Sequence, residues 1–100
     1  MTPEKAILMT KVEETDAREV RLYLHDDGSI EMNTIDDGES PLKTFGHDDY
    51  EWWVKIAPEN VAKLAFALLN EKYKEQFNAT DEFKDFCKEA KVEYLWDSYP

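Results

Sequence analysis

The segment Val20–Met32 constrains the fold most. Val20, Leu22 and Leu24 alternate with Arg21, Tyr23 and His25; after Asp26-Asp27-Gly28, Ile30 and Met32 alternate with Glu31 and Asn33. Alternation with a period of two is the mark of a strand with one buried face, and two such runs flanking an Asp-Gly turn form a hairpin. The register follows from the side-chain pattern. A two-residue loop would set Leu24 opposite Glu31 and misalign the apolar sets. A three-residue loop, Asp26 to Gly28, pairs Leu24 with Ile30 and Leu22 with Met32, and puts Gly28 where a left-handed residue is required. The three-residue loop is the expected one.

Further elements follow on both sides. Ala6–Val12 is mostly apolar or β-branched and reads as a strand, joined by the polar Glu13-Glu14-Thr15-Asp16. After the second Asp-Asp-Gly, at residues 36–38, the chain reads as irregular up to Asp49. Tyr50, Trp52, Val54 and Ile56 then alternate with Glu51, Trp53 and Lys55, giving another strand. Pro58 suits a first helical turn, and Val61, Leu64, Ala65 and Leu68 keep the spacing of a core-facing helix. Phe83, Phe86, Cys87 and Ala90 repeat that spacing, with Thr80 or Asp81 as the expected cap. Val92–Trp96 is β-branched and aromatic and is expected to close the sheet. The chain of 100 residues thus reads as one α+β domain over residues 1–100. Its expected order is β-β-β-β-α-α-β, an antiparallel sheet with two helices on one face.

Charge narrows the function classes. Asp and Glu number 23 against 12 Lys and Arg, a formal charge of -11. Residues 26–51 carry nine acids against Lys43 alone, so the excess is a local feature. Such a surface repels the phosphates of nucleic acid, and no direct nucleic-acid binding is expected. No apolar run reaches the ~18 residues of a membrane span, and the N-terminus does not pair a basic region with an apolar stretch. A cytoplasmic location without membrane contact is the expectation. The single cysteine excludes an internal disulfide, and on an apolar helical stripe it reads as a structural thiol.

Three acidic doublets stand out: His25-Asp26-Asp27-Gly28, Ile35-Asp36-Asp37-Gly38 and His47-Asp48-Asp49. Clustered carboxylates suit hard divalent cations, but the spacing is not that of an EF-hand loop. Aspartate is frequent in turns because its side chain bonds the local backbone, and turn chemistry is the expected role. No metal site and no cofactor are expected. His25 and His47 titrate near neutrality, yet no nucleophile setting, phosphate loop or histidine pair accompanies them. The chain reads as non-enzymatic. On the strand Tyr50–Ile56, Trp53 falls on the face opposite Tyr50 and Trp52, together with Tyr23, Arg21, Glu31 and Lys55. Aromatics mixed with charge make recognition surfaces.

Val20-Arg-Leu-Tyr-Leu-His-Asp-Asp-Gly-Ser-Ile-Glu-Met, then Asp36-Asp37-Gly38, then Phe45-Gly46-His-Asp-Asp-Tyr50-Glu51-Trp52, resembles a group of small bacterial proteins. That group shares an Asp-Gly hairpin, a second strand ending in an aspartate near a glycine, and a Gly followed by Tyr-Glu and an aromatic. A closing segment like Val92-Glu-Tyr-Leu-Trp96 completes the pattern. The resemblance implies a compact α+β fold and no catalytic activity.

The expected function is binding of another protein with a basic surface, in the manner of an immunity or inhibitor protein. Asp36, Asp37, Asp48, Asp49 and Glu51 supply steering charge, and Tyr23 and Trp53 supply the anchor. The rival readings are a nucleic-acid mimic that inhibits a nuclease or defence complex, an enzyme or ligand binder built on the His47-Asp48-Asp49 loop, and a homodimer that covers the Trp53 face.

Overall fold

A computed structural model describes residues 2–38 and 49–99. Four antiparallel strands form one open sheet in sequence order: β1 (Glu4–Val12), β2 (Asp16–Leu24), β3 (Ile30–Gly38) and β4 (Asp49–Ile56). Two helices follow, α1 (Pro58–Tyr73) and α2 (Ala79–Glu89), so the chain is α+β. It divides into two compact units, Met1–Leu64 and Ala65–Pro100.

The β2–β3 hairpin has the expected register, with Leu24 opposite Ile30 and Leu22 opposite Met32. His25 and Gly28 close the turn: the Gly28 amide donates to the His25 carbonyl at 3.0 Å, and the His25 amide to the Ser29 carbonyl at 2.9 Å. Gly28 has φ 91°, the left-handed geometry that a three-residue loop demands. Asp27 completes it. Its Oδ1 accepts from the Ser29 amide at 2.8 Å and the Ser29 hydroxyl at 2.6 Å, and Ser29 is fully buried. These bonds, from the hydroxyl and then the amide, hold the Asp27 carboxyl below the usual carboxylate range.

Strand β3 runs further than the sequence pattern indicates. Asp36-Asp37-Gly38, expected as a turn, is paired strand opposite Arg18, Ala17 and Asp16. The Arg18 guanidinium bonds both carboxylate oxygens of Asp36, Nε to Oδ1 at 2.6 Å and Nη2 to Oδ2 at 2.7 Å. Gly38 has φ 126°, and a Cβ there would stand 2.1 Å from the Thr15 carbonyl oxygen. Only glycine fits against the β1–β2 turn.

In β1 the ladder shifts between Ile7, opposite Arg21, and Met9, opposite Val20, leaving Leu8 as the extra residue of a bulge. The shift reverses the alternation, so Ala6 and Met9 both lie on the side of Leu22 and Val20. The sheet therefore has an apolar face made by Ala6, Leu22, Leu24, Ile30, Met32, Trp52, Val54 and Ile56, all aligned by cross-strand pairing. Its opposite face is mixed in chemistry. Val20, Leu22, Leu24, Ile30 and Ile56 are half-buried, whereas Met32, Trp52 and Val54 on the same face are exposed.

Helix α1 begins at Pro58, where the missing amide hydrogen costs nothing, and has Glu59 in its first turn and Lys72 in its last, as the helix dipole favours. Helix α2 begins at Ala79 with Asn78 in the cap position and no side-chain capping bond, rather than with Thr80 or Asp81 as cap. Tyr73 meets Phe83 edge-on at 6.0 Å, and Cys87 is the buried apolar side chain among the described residues. Desolvation, then the charge of Glu82, pushes the Tyr73 hydroxyl above its usual value.

The expected closing strand at Val92–Trp96 is not formed; residues 92–99 are not strand. Helix α2 ends in a Schellman motif, in which the Lys91 amide donates to the Lys88 carbonyl at 3.3 Å and the Val92 amide to the Cys87 carbonyl at 2.8 Å. Val92 is thus committed to the helix end. Leu95 is fully exposed and Trp96 largely so. A β-favourable composition supplies no ladder partner, and a strand exists only by its ladder.

Candidate functional site

The mixed face is built by four rows of cross-strand neighbours. The row nearest the Asp-Gly hairpin is Lys5, Tyr23, Glu31 and Lys55; the next is Ile7, Arg21, Asn33 and Trp53. Thr10, Glu19, Ile35 and Glu51 form the third, and Val12, Ala17, Asp37 and Asp49 the fourth. Strand alternation thus places Tyr23 and Trp53 on one face with Arg21, Glu31 and Lys55, as the sequence indicates. They are diagonal neighbours separated by β3, not a contacting pair.

The acidic residues divide. Asp37 and Asp49 stand directly opposite each other across β3 and β4, and Glu51 is the next residue of β4 on the same face. All three are exposed. Asp36 points to the apolar face, where Arg18 holds it and lies over the Trp52 ring at 5.3 Å. The hydrogen bond to Asp36, and then its charge, raise the Arg18 guanidinium above its usual value. Asp36 therefore does not share the surface of Asp37, Asp49 and Glu51. Asp48 and His47 lie outside the described residues.

Trp53 is 60% exposed, the most exposed aromatic of the sheet. Its neighbour Asn33 is only 5% exposed and donates from Nδ2 to Glu51 Oε1 at 3.4 Å, while its Oδ1 is buried without a hydrogen-bond donor. Arg21 bonds Glu19 on its own strand, and the Glu19 and Tyr23 side chains raise its guanidinium above the usual value. Tyr23 stacks on His25 at 5.8 Å, with the Lys5 ammonium 5.8 Å from its ring centre. His25 Nε2 is 2.8 Å from Glu31 Oε1.

A groove of about 400 Å³ lies at the β1–β2 turn, lined by Met9, Lys11, Glu13, Asp16, Arg18 and Asp36 among others. Both its cations are paired within it, Lys11 Nζ with Glu13 Oε1 at 2.8 Å and Arg18 with Asp36, and Asp16 and Asp37 leave it net acidic. The bond to Glu13, then its charge, raises the Lys11 ammonium above its usual value. His25 is at the other end of β2, so this groove assembles no acid–base pair with it. Among the described residues no three His, Cys, Asp or Glu side chains come together as metal ligands, and no helix is long and apolar enough to cross a membrane.

Sequence reasoning missed Arg18. Its signal was present: extending the Leu24–Ile30 register along both strands brings Arg18 opposite Asp36. Comparison with family models, with curated proteins and with solved structures finds no match.

Proposed function

We propose that this chain is a non-enzymatic binding module that docks a basic protein surface on its mixed sheet face. Asp37, Asp49 and Glu51 steer the partner, and Trp53 anchors it. One observation carries the reading: Asp37 and Asp49 oppose each other across the ladder. Like charges directly opposite cost stability, by roughly 0.2–1 kcal/mol on the scale of cross-strand pairs. A nearby cation from a partner would reverse that cost. The exposed indole of Trp53, two rows from this pair and next to Glu51 on the same face of β4, supplies apolar contact, and Trp is among the commonest hot-spot residues.

The test begins with affinity capture from the native host, run in parallel with the wild type and the Asp37→Asn/Asp49→Asn/Glu51→Gln variant. A partner retained by the first and depleted with the second is then carried into stopped-flow kinetics. Exposed charges act beyond contact range and are screened over ~8 Å at physiological salt. The variant should associate more slowly and with a flatter salt dependence, while Trp53→Ala should speed dissociation. Equal salt slopes for wild type and triple variant would sink the steering role.

A further inference from the structure

The mixed face is electrically polarised along its strands. The two rows nearest the hairpin hold Lys5, Arg21 and Lys55 against Glu31, a net of +2 from three positive and one negative charge. The two rows at the other end hold Glu19, Glu51, Asp37 and Asp49, a net of -4 with no positive charge. A face with opposite charges at its two ends fits a copy of itself turned end for end. The apolar face carries no comparable pattern that would select an occupant.

We infer that the mixed face is the interface of a two-fold homodimer, with the two sheets packed face to face and their strands running oppositely. Rotation about an axis that lies between the sheets and crosses the strands places each acidic end over the other copy's basic end. On β4 the turn brings Lys55 of one copy over Asp49 of the other, and Trp53 of one over Glu51 of the other. On β2 it brings Arg21 of one over Glu19 of the other, and on β3 it sets Glu31 over Asp37, a like-charge pair outnumbered by the two opposite-charge pairs. Sheets in such sandwiches lie ~10 Å apart, within reach of facing Lys and Asp side chains. Each pair occurs twice, as an isologous interface requires. The arrangement also neutralises Asp49, which its own ladder neighbour Asp37 repels.

Size sets the expected strength. Four strands ~4.8 Å apart and about eight residues long project to roughly 500 Å². That is toward the small end of specific interfaces, which take ~800 Å² of accessible surface per partner, so a reversible dimer is expected. The net charge of each chain opposes association, but it acts over distances that salt screens, whereas the facing pairs act at contact. This inference does not rest on the basic-partner reading. The two share one face, so a bound partner would displace the second copy.

The experiment uses the full chain in sedimentation equilibrium from about 1 to 200 µM, a range suited to weak interfaces, with circular dichroism to verify folding. Wild type should approach twice the 11.8 kDa chain mass as concentration rises. Lys55→Asp alone and Asp49→Lys alone each set like charges against each other twice, and each should weaken the dimer at least roughly tenfold. An equimolar mixture of the two folded variants restores both pairs in a heterodimer and should regain the wild-type mass. Mixing cannot repair a fold, so recovery on mixing reports contact between copies. A wild type that stays monomeric throughout would overturn the inference. So would single variants that dimerise like wild type, which would assign the association to another surface. Neither result involves a partner, so the steering proposal stands or falls separately.

Discussion

The chain uses the tripeptide Asp-Asp-Gly twice and obtains two different structures from it. At residues 26–28 it is a turn: Gly28 is left-handed, Asp27 bonds Ser29, and the chain reverses. At residues 36–38 it is the end of a strand: Asp36 is clasped by Arg18, Asp37 faces Asp49, and Gly38 abuts the β1–β2 turn. The first set of bonds reaches no further than Ser29. The second depends on residues remote in sequence: Arg18, 18 positions from Asp36, with Asp49 and Thr15. Local chemistry offers a turn in both places, and cross-strand partners override it in the second.

This contrast predicts unequal roles for the two glycines. Gly38→Ala should have the largest effect, because the new Cβ would overlap backbone atoms that cannot swing aside, in addition to a strained φ. A loss of about 3 kcal/mol or more is expected from strain and overpacking together. Urea denaturation would read it as a lowered midpoint, and an unchanged midpoint would show that β3 does not close against Thr15. Gly28→Val should cost less, roughly 1–2 kcal/mol, since it meets left-handed strain without a comparable backbone clash. Equal losses for the two substitutions would erase the distinction.

The aspartates sharpen it further. Asp49→Asn relieves the like-charge pair with Asp37 and should raise stability by a few tenths of a kcal/mol while slowing capture of a basic partner. Thermal melts at low and high salt would show that gain shrinking as salt rises. At the turn, Asp27 behaves oppositely. Its carboxyl is depressed in the fold, so its contribution is fully present above the ordinary carboxylate value and is lost as pH falls through the folded value. The stability difference between wild type and Asp27→Asn should therefore narrow on acidification. Melts from neutral pH down to about pH 2, below the ordinary aspartate range, would check it, and a constant difference would remove Asp27 from the turn's energetics.

What was legible in the sequence was what short spacing encodes. The period of two fixed the faces of Tyr23 and Trp53, and the loop length fixed the pairing of Leu24 with Ile30. The second Asp-Asp-Gly reads locally as a turn because its partners, Asp16, Ala17 and Arg18, are remote and carry no apolar alternation. Consecutive residues of a strand point oppositely, so Asp36 and Asp37 were bound to part once β3 was seen to include them. Val92–Trp96 failed the other way: its composition favours a strand, but Lys91 and Val92 are taken up by the end of α2. Both errors come from treating a pairing property as a property of one segment.

The bulge at Leu8 has a consequence for how the sheet ends. Strand β1 lies at the border of the sheet, and its outer groups are a template on which a further chain can grow. Growth of that kind needs an uninterrupted repeat, and the extra residue at Leu8 breaks the repeat near the middle of the strand. The bulge thus interrupts, at Ile7, Leu8 and Met9, the repeat that edge-to-edge pairing needs. Deleting Leu8 would straighten the border and remove the interruption.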